Sequence, residues 1–108
     1  MVTNLKNYTK MDLVLNNIDA LWSVLSLFNS FFEDRKIDKT ILIKPIMESV
    51  KGFGGLKKLT IEIHVNSNGK SAKVQTIVVK GSDEKRIYES ACKKLAQEFI
   101  LICAAYGT

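Results

Sequence analysis

The longest regular pattern in the chain lies between Met11 and about Asp34. Polar residues recur there at alternating steps of four and three, and nearly every position between them is apolar. This spacing predicts a helix with its polar residues on one narrow face. A surface helix needs an apolar stripe of only about 100°. We therefore expect this helix to be covered on more than one side, either by its own domain or by a second chain. The polar positions are Asp12, Asn16, Asp19, Ser23, Ser26, Ser30 and Glu33.

A strict period-two alternation follows in the middle of the chain. Leu59, Ile61, Ile63 and Val65 alternate with polar residues, which predicts a strand with one buried face. Asn68-Gly69 then predicts a hairpin turn, because Asn and Gly accept the positive φ angles that such turns require.

The return strand is predicted from about Ser71 to Lys80. Continuing the alternation buries Ala72, Val74, Thr76 and Val78. It also places Ile77 and Val79 on the polar face, where they need a cover of their own.

A shorter strand is predicted before the hairpin, over Thr40–Lys44, because β-branched and aliphatic residues are concentrated there. We expect Pro45 to end it and to begin a helical turn that reaches Val50.

The last segment predicts a second long helix that begins with Ser82 as its N-cap, followed by two carboxylates in the first turn. It becomes apolar all round from Phe99 to Tyr106, and Gly107 is a candidate C-cap. The predicted core face consists of Tyr88, Ala91, Cys92, Leu95, Phe99, Ile102 and Cys103. The predicted fold is therefore α+β in the order α-β-β-β-α, with both helices on one face of a small antiparallel sheet.

The length of 108 residues indicates a single domain, which we assign to 11–108 after a polar N-terminal tail over 1–10. The formal charge of +5 favours an anionic partner such as nucleic acid. Arg35 and Arg86 are the only arginines, so lysine point charges dominate this surplus.

The two cysteines, Cys92 and Cys103, fall in the last predicted helix, about 16 Å apart along its axis. This separation excludes a disulfide within one chain and indicates two buried thiols in a reducing compartment. The longest nearly apolar stretch, Ala20–Phe32, is short of the roughly 20 residues of a membrane span. We expect a cytoplasmic protein without a membrane partner.

Candidate catalytic groups are few. His64 is the only histidine, and the carboxylates show no paired pattern. The loop Gly52-Phe53-Gly54-Gly55 suits a backbone approach to phosphate, but it lacks the spacing of a nucleotide-binding loop. We expect no enzyme activity, no metal and no cofactor.

The predicted hairpin leads through Gly81-Ser82 into a helix that contains Ala91-Cys92-Lys93-Lys94-Leu95-Ala96. In this order of elements the chain, over Leu56–Leu101, resembles double-stranded RNA-binding domains. The resemblance is one of topology, since Asp83-Glu84-Lys85-Arg86 stands where that family has a lysine-rich helix entry. Aromatic residues do not interleave with the lysines, which disfavours stacking on single strands and favours contacts with the backbone of a duplex.

Two functions follow as hypotheses. The first is a small basic protein, expected as a homodimer, that contacts the phosphate backbone of duplex DNA or RNA. Its predicted binding residues are Lys57, Lys58, Lys70, Lys73, Lys85, Arg86, Lys93 and Lys94. The alternative is a homo-oligomeric adaptor of accessory or viral type that binds no nucleic acid. The predicted oligomer interface consists of Trp22, Phe28, Phe32, Ile77, Val79, Ile100 and Tyr106.

Overall fold

The computed structural model describes residues 17–52 and 54–107. It confirms the order α-β-β-β-α, with helix α1 over Ile18–Asp34, strands β1 over Thr40–Ser49, β2 over Lys57–Ser67 and β3 over Lys70–Gly81, and helix α2 over Glu84–Tyr106. The three strands form one antiparallel sheet in the order β1-β2-β3. Residues 1–16 lie outside the described part, so the predicted tail and the predicted helix start at Met11 do too.

Both helices cover one face of the sheet, as predicted, and no other element of the described residues covers the opposite, open face. α1 packs mainly on β1, and α2 packs mainly on β3. The helices meet where the rings of Phe28 and Phe99 pack edge to face with their centroids 5.4 Å apart. The fully buried large side chains are Leu21, Phe32, Ile41, Leu59, Ile61, Ile63, Ile87, Leu95 and Phe99. None of the helices described is both long enough and apolar enough to span a membrane.

The prediction that Pro45 ends the first strand is wrong. β1 continues through Pro45, which pairs with Ile61, and no helical turn follows. β1 is an edge strand, and Ile41 directs its N–H and C=O away from β2 toward Asn29. Hydrogen-bonded and non-hydrogen-bonded pairs alternate along an antiparallel ladder. The backbone N–H and C=O positions of Ile43 and Pro45 therefore also point away from β2. The missing N–H of Pro45 therefore costs the ladder no hydrogen bond.

The predicted inward face of β3 is also wrong over most of its length. Ile77 and Val79 are buried under α2, whereas Thr76 and Val78 lie on the open face. The cause is a β-bulge. His64 pairs with Lys73 but Ile63 pairs with Gln75, so Val74 is an extra residue. One extra residue reverses which face each following side chain occupies.

The ends of α2 follow the prediction closely, with one correction. Its N-cap is Asp83, not Ser82, and the Asp83 side chain accepts a hydrogen bond from the Lys85 N–H at 3.0 Å. Gly107 is the C-cap, as predicted. A Cβ at this position would overlap the backbone carbonyl oxygen of Cys103 and would lie 2.6 Å from the Phe31 ring. The last turn of α2 and the close approach of α1 therefore both favour glycine here.

Candidate nucleic-acid interface

Six cationic residues come together at one end of the sheet. At this end β1 finishes, β2 begins, β3 finishes and α2 begins, since Ser49 pairs with Lys57 and Lys57 pairs with Gly81. We call this surface the basic end. It consists of Lys51, Lys57, Lys58, Lys80, Lys85 and Arg86, which outnumber the nearby carboxylates Glu48, Asp83 and Glu84.

Lys57 joins the sheet to α2. Its Nζ lies 2.7 Å from Oε1 of Glu84, in the first turn of α2. About a third of the Lys57 side chain is exposed, so this ion pair holds the helix start against β2 at the surface. The charge of Lys57 is therefore partly neutralised by Glu84. Lys57 adds less positive charge to the basic end than an unpaired lysine would, but it also positions the start of α2.

Lys58 and Lys80 form the open-face part of the basic end. They are direct partners in the β2–β3 register, and Glu48 lies opposite Lys58 on the other side. Among the described residues no carboxylate comes within ion-pair distance of either ammonium group. Two neighbouring lysines without an ion-pair partner attract a polyanion more strongly than paired ones do.

The start of α2 adds Lys85 and Arg86. Arg86 Nε lies 3.8 Å from Oδ2 of Asp83, but the guanidinium side chain is 87% exposed and so remains accessible. The free N–H groups of a helix N-terminus also favour negative charge, although the Asp83 side chain already occupies part of this site.

A glycine-containing loop between β1 and β2 completes the basic end. It is closed by a hydrogen bond from the Val50 N–H to the Leu56 carbonyl oxygen, at 2.9 Å. Gly52 and Gly55 have φ angles of +83° and +75°, a conformation that glycine adopts without strain. A shallow depression of about 330 Å³ lies beside the loop. The backbone can therefore be approached closely next to the exposed Lys51.

The structure does not bring all eight predicted binding residues together. Lys57, Lys58, Lys85 and Arg86 lie at the basic end, and the prediction missed Lys51 and Lys80 there. Lys70 and Lys73 lie at the hairpin end, with Lys73 about 23 Å from Lys80 along β3. Lys93 and Lys94 lie at least about 12 Å along α2 from Lys85. Lys93 is also paired, with its Nζ 3.6 Å from Oε1 of Glu89.

His64 and Glu62 form a pair on the open face, away from the basic end. His64 Nε2 lies 3.1 Å from Oε1 of Glu62. This hydrogen bond is the main cause that lowers the pKa of the Glu62 carboxyl. Desolvation opposes it, and the charges of Lys73, His64 and Lys44 lower the pKa further. Glu62 therefore stays ionised and offsets part of the positive charge at the hairpin end.

The residues of the predicted oligomer interface differ in their exposure. Phe32, Ile77 and Val79 are buried in the core of the single chain, so they cannot form a surface for a second copy. Phe28 is half-buried against Phe99. Trp22, Ile100 and Tyr106 are exposed, and the prediction missed the exposed Ile18, Leu27 and Leu101 on the same helices.

Within residues 17–52 and 54–107, no three His, Cys, Asp or Glu side chains group closely enough to hold a metal ion. Comparisons with protein-family models, curated proteins and solved structures found no significant match to this chain.

Proposed function

We propose that the protein binds the phosphate backbone of duplex nucleic acid through the basic end. The observation that carries this proposal is the convergence of cations from the β1–β2 loop, from the ends of β2 and β3 and from the start of α2 at one end of the sheet. Lys58 and Lys80 have no ion-pair partner there, among the residues described. Phosphate contacts of this kind provide affinity with little sequence preference, because lysine does not read base edges bidentately.

The first experiment measures fluorescence anisotropy of labelled duplex DNA and duplex RNA with the protein, from low to physiological salt. Binding should weaken steeply with salt, because each neutralised phosphate releases counterions. Four phosphate contacts correspond to a slope of about −3.6 in log K against log salt on B-DNA. Absent binding at low salt, or binding that does not respond to salt, would contradict the proposal.

A charge-reversal pair tests whether the basic end is the surface used. The double variant Lys58→Glu with Lys80→Glu should abolish measurable duplex binding. Its matched control is Lys70→Glu with Lys94→Glu, which changes the net charge equally but lies away from the basic end. If both variants lose affinity equally, binding follows overall charge and the basic end is not a site.

Self-association is the second candidate function, and one observation favours it. Trp22, Ile100 and Leu101 are 43%, 58% and 62% exposed on the helices. Large apolar side chains exposed near one another are typical of a surface that contacts another protein. The candidate is a homo-oligomeric module that contacts its own copy through these helix surfaces. It is compatible with duplex binding by a dimer.

Sedimentation of Ile100→Asp tests this second candidate. The side chain is exposed, so the variant should fold and sediment as a smaller species than wild type. Gln97→Asp, one turn earlier on an exposed part of α2, is the control and should keep the wild-type size. A wild-type protein that sediments as a monomer, or an unchanged size for Ile100→Asp, would contradict this interface.

A further inference from the structure

The outer edge of β3 carries backbone groups that the fold leaves free. The direction of these groups follows from β1, where the backbone N–H and C=O of Ile41 point away from β2. Ile61 pairs with Pro45 without hydrogen bonds, so its backbone groups bond to Ile77 of β3 instead. By the same alternation, the backbone N–H and C=O groups of Thr76, Val78 and Lys80 point away from β2. A contact agrees with this assignment, since the Thr76 N–H donates to Oε1 of Gln75 at 3.1 Å.

Val78 and Lys80 therefore present free hydrogen-bonding groups to the side of the sheet. Neither residue's N–H or C=O has a partner among the described residues beyond the β2–β3 ladder. Gln75 protects the N–H of Thr76, and Asn29 protects both groups of Ile41 on the opposite edge. The backbone groups of Val78 and Lys80 are thus unprotected, and such an edge is a template for an added strand.

A groove runs between this edge and α2. It has a volume of about 450 Å³ and is lined by Lys80 and Gly81 on the strand side and by Arg86, Ile87 and Ser90 on the helix side. A second depression of about 430 Å³ continues it along α2, sharing Arg86 and Ser90 and reaching Lys93. The second depression is lined by α2 residues alone, so only the groove of about 450 Å³ lies between β3 and α2. We call this groove the channel, and it lies beside the free backbone groups of Lys80.

The charges beside the channel indicate the chemistry of its occupant. Lys73 and Lys80 flank the free stretch of β3, and α2 adds Arg86 and Lys93, against the carboxylates of Asp83 and Glu89. A second copy that paired its own β3 here would add the three lysines of that strand, which contains no carboxylate, to the same edge. An extended segment with acidic side chains complements them instead.

We propose that the free edge of β3 binds an extended acidic peptide segment of a partner protein as a fourth strand of the sheet. Residues of the peptide opposite Val78 and Lys80 place their side chains on the open face, beside an exposed apolar group and a lysine. The residues between them point into the channel toward Arg86 and Ser90. This is strand addition, in which backbone hydrogen bonds supply affinity and alternate side chains supply specificity.

The test uses an eight-residue fluorescent peptide of alternating valine and glutamate, titrated with the full chain and followed by anisotropy and by amide chemical shifts. The acidic peptide should bind, and the Val78 and Lys80 amides should shift most. A peptide of alternating valine and lysine should bind at least about tenfold more weakly. Equal binding of the two peptides, or shifts confined to other surfaces, would overturn the proposal.

A proline variant tests the strand itself. Val78→Pro removes the outward N–H without removing a bond to β2, as Pro45 does on the opposite edge. It should weaken the acidic peptide about fivefold or more, whereas Val78→Thr keeps the N–H and should bind as wild type does. Duplex nucleic acid should bind Val78→Pro normally, because the variant keeps Lys80 and Arg86, which this site shares with the basic end.

An independent arm leaves the protein unchanged. The acidic peptide is methylated on the backbone nitrogens of alternate residues, in two versions that differ by one position. Only one version blocks the N–H groups that face β3, so the two should differ about fivefold or more in affinity. Equal affinities, or Val78→Pro binding as tightly as Val78→Thr, would overturn the assignment. So would a β3–β3 dimer of the protein.

Discussion

Asn29 is the residue whose side chain does most to tie the helical layer to the sheet. Its Nδ2 donates to the Ile41 carbonyl oxygen at 3.0 Å, and its Oδ1 accepts from the Ile41 N–H at 2.7 Å. One amide therefore satisfies both outward backbone groups of a fully buried edge residue. It occupies the place that another strand would take, which protects this part of the edge from pairing.

Replacing this amide should destabilise the fold. Asn29→Ala leaves a donor and an acceptor unpaired beside the core, so we expect the free energy of unfolding to fall by about 2 kcal/mol. Urea denaturation measures the change, with Ser26→Ala on the exposed part of the same helix as the control, expected within about 0.5 kcal/mol of wild type. A loss for Asn29→Ala no larger than for the control would contradict the role assigned to it.

The two thiols are free and buried, as the spacing of the cysteines predicted. Burial raises the pKa of Cys92 to about 11. Burial also raises the pKa of Cys103, although the charge of Arg35 opposes this effect. The thiolate is the reactive form, so both cysteines should resist alkylation in the folded chain.

The raised pKa of Cys92 makes a prediction about pH. The folded state holds this proton more tightly than the unfolded state does. The resulting gain in folding stability is complete below the ordinary thiol pKa of 9.0 and is lost as the pH rises toward the folded-state pKa of about 11. Urea denaturation between pH 8 and 10.5 should show falling stability, and Cys92→Ala should show a smaller fall. The same slope in both proteins would assign the effect to other groups.

At the scale of the elements, the two edge strands are built differently. β1 is blunted by Asn29 at Ile41 and by Pro45, whereas β3 is bent by the bulge at Val74 and leaves Val78 and Lys80 free. Pro45 in β1 and the bulge in β3 both depart from a regular strand, and both affect whether a further strand can pair at that edge. They determine which edge accepts a further strand.

The alternation along β1 predicts opposite effects of proline at neighbouring positions. Pro45→Ala should change the free energy of unfolding by less than about 1 kcal/mol, because position 45 donates nothing to β2. Lys44→Pro should cost about 3 kcal/mol or more, because the Lys44 N–H faces Glu62 of β2 in the ladder. Thermal and urea denaturation compare the two variants. A similar loss in both would mean that the assigned direction of the hydrogen bonds is wrong.

At the scale of the whole molecule, the two helices and three strands share one core in which the Phe28–Phe99 contact joins the helices. Phe99 is fully buried, while Phe28 is half-buried beside it. Phe28 therefore stabilises the single chain. A charge placed there tests folding rather than association.

Removing the buried ring should be the most damaging truncation in this contact. Phe99→Ala should lower the free energy of unfolding by about 4 kcal/mol, since it removes a large buried side chain and leaves a cavity. Phe28→Ala should cost less, because part of its ring is already in contact with water. Denaturation followed by circular dichroism measures both. An equal or larger loss for Phe28→Ala would contradict this description of the core.

Much of the fold was determined by local patterns that the sequence shows directly. The alternation from Leu59 to Val65 and the Asn68-Gly69 turn predicted β2 and the hairpin, because strand periodicity and turn chemistry act over a few residues. The same holds for the core face of α2, where all predicted residues but the half-buried Tyr88 are buried and only Ile87 was missed. Four of the cations at the basic end were among those predicted.

The tertiary structure alone decided where those local units meet. An edge position made Pro45 compatible with a strand, and one bulged residue buried Ile77 and Val79 instead of Thr76 and Val78. Pairing with β2 brought Lys80 beside Lys58. These outcomes depend on contacts between residues distant in the chain. Hydrophobic periodicity sets which side chains share a face, whereas register and edge position come from the partner strand.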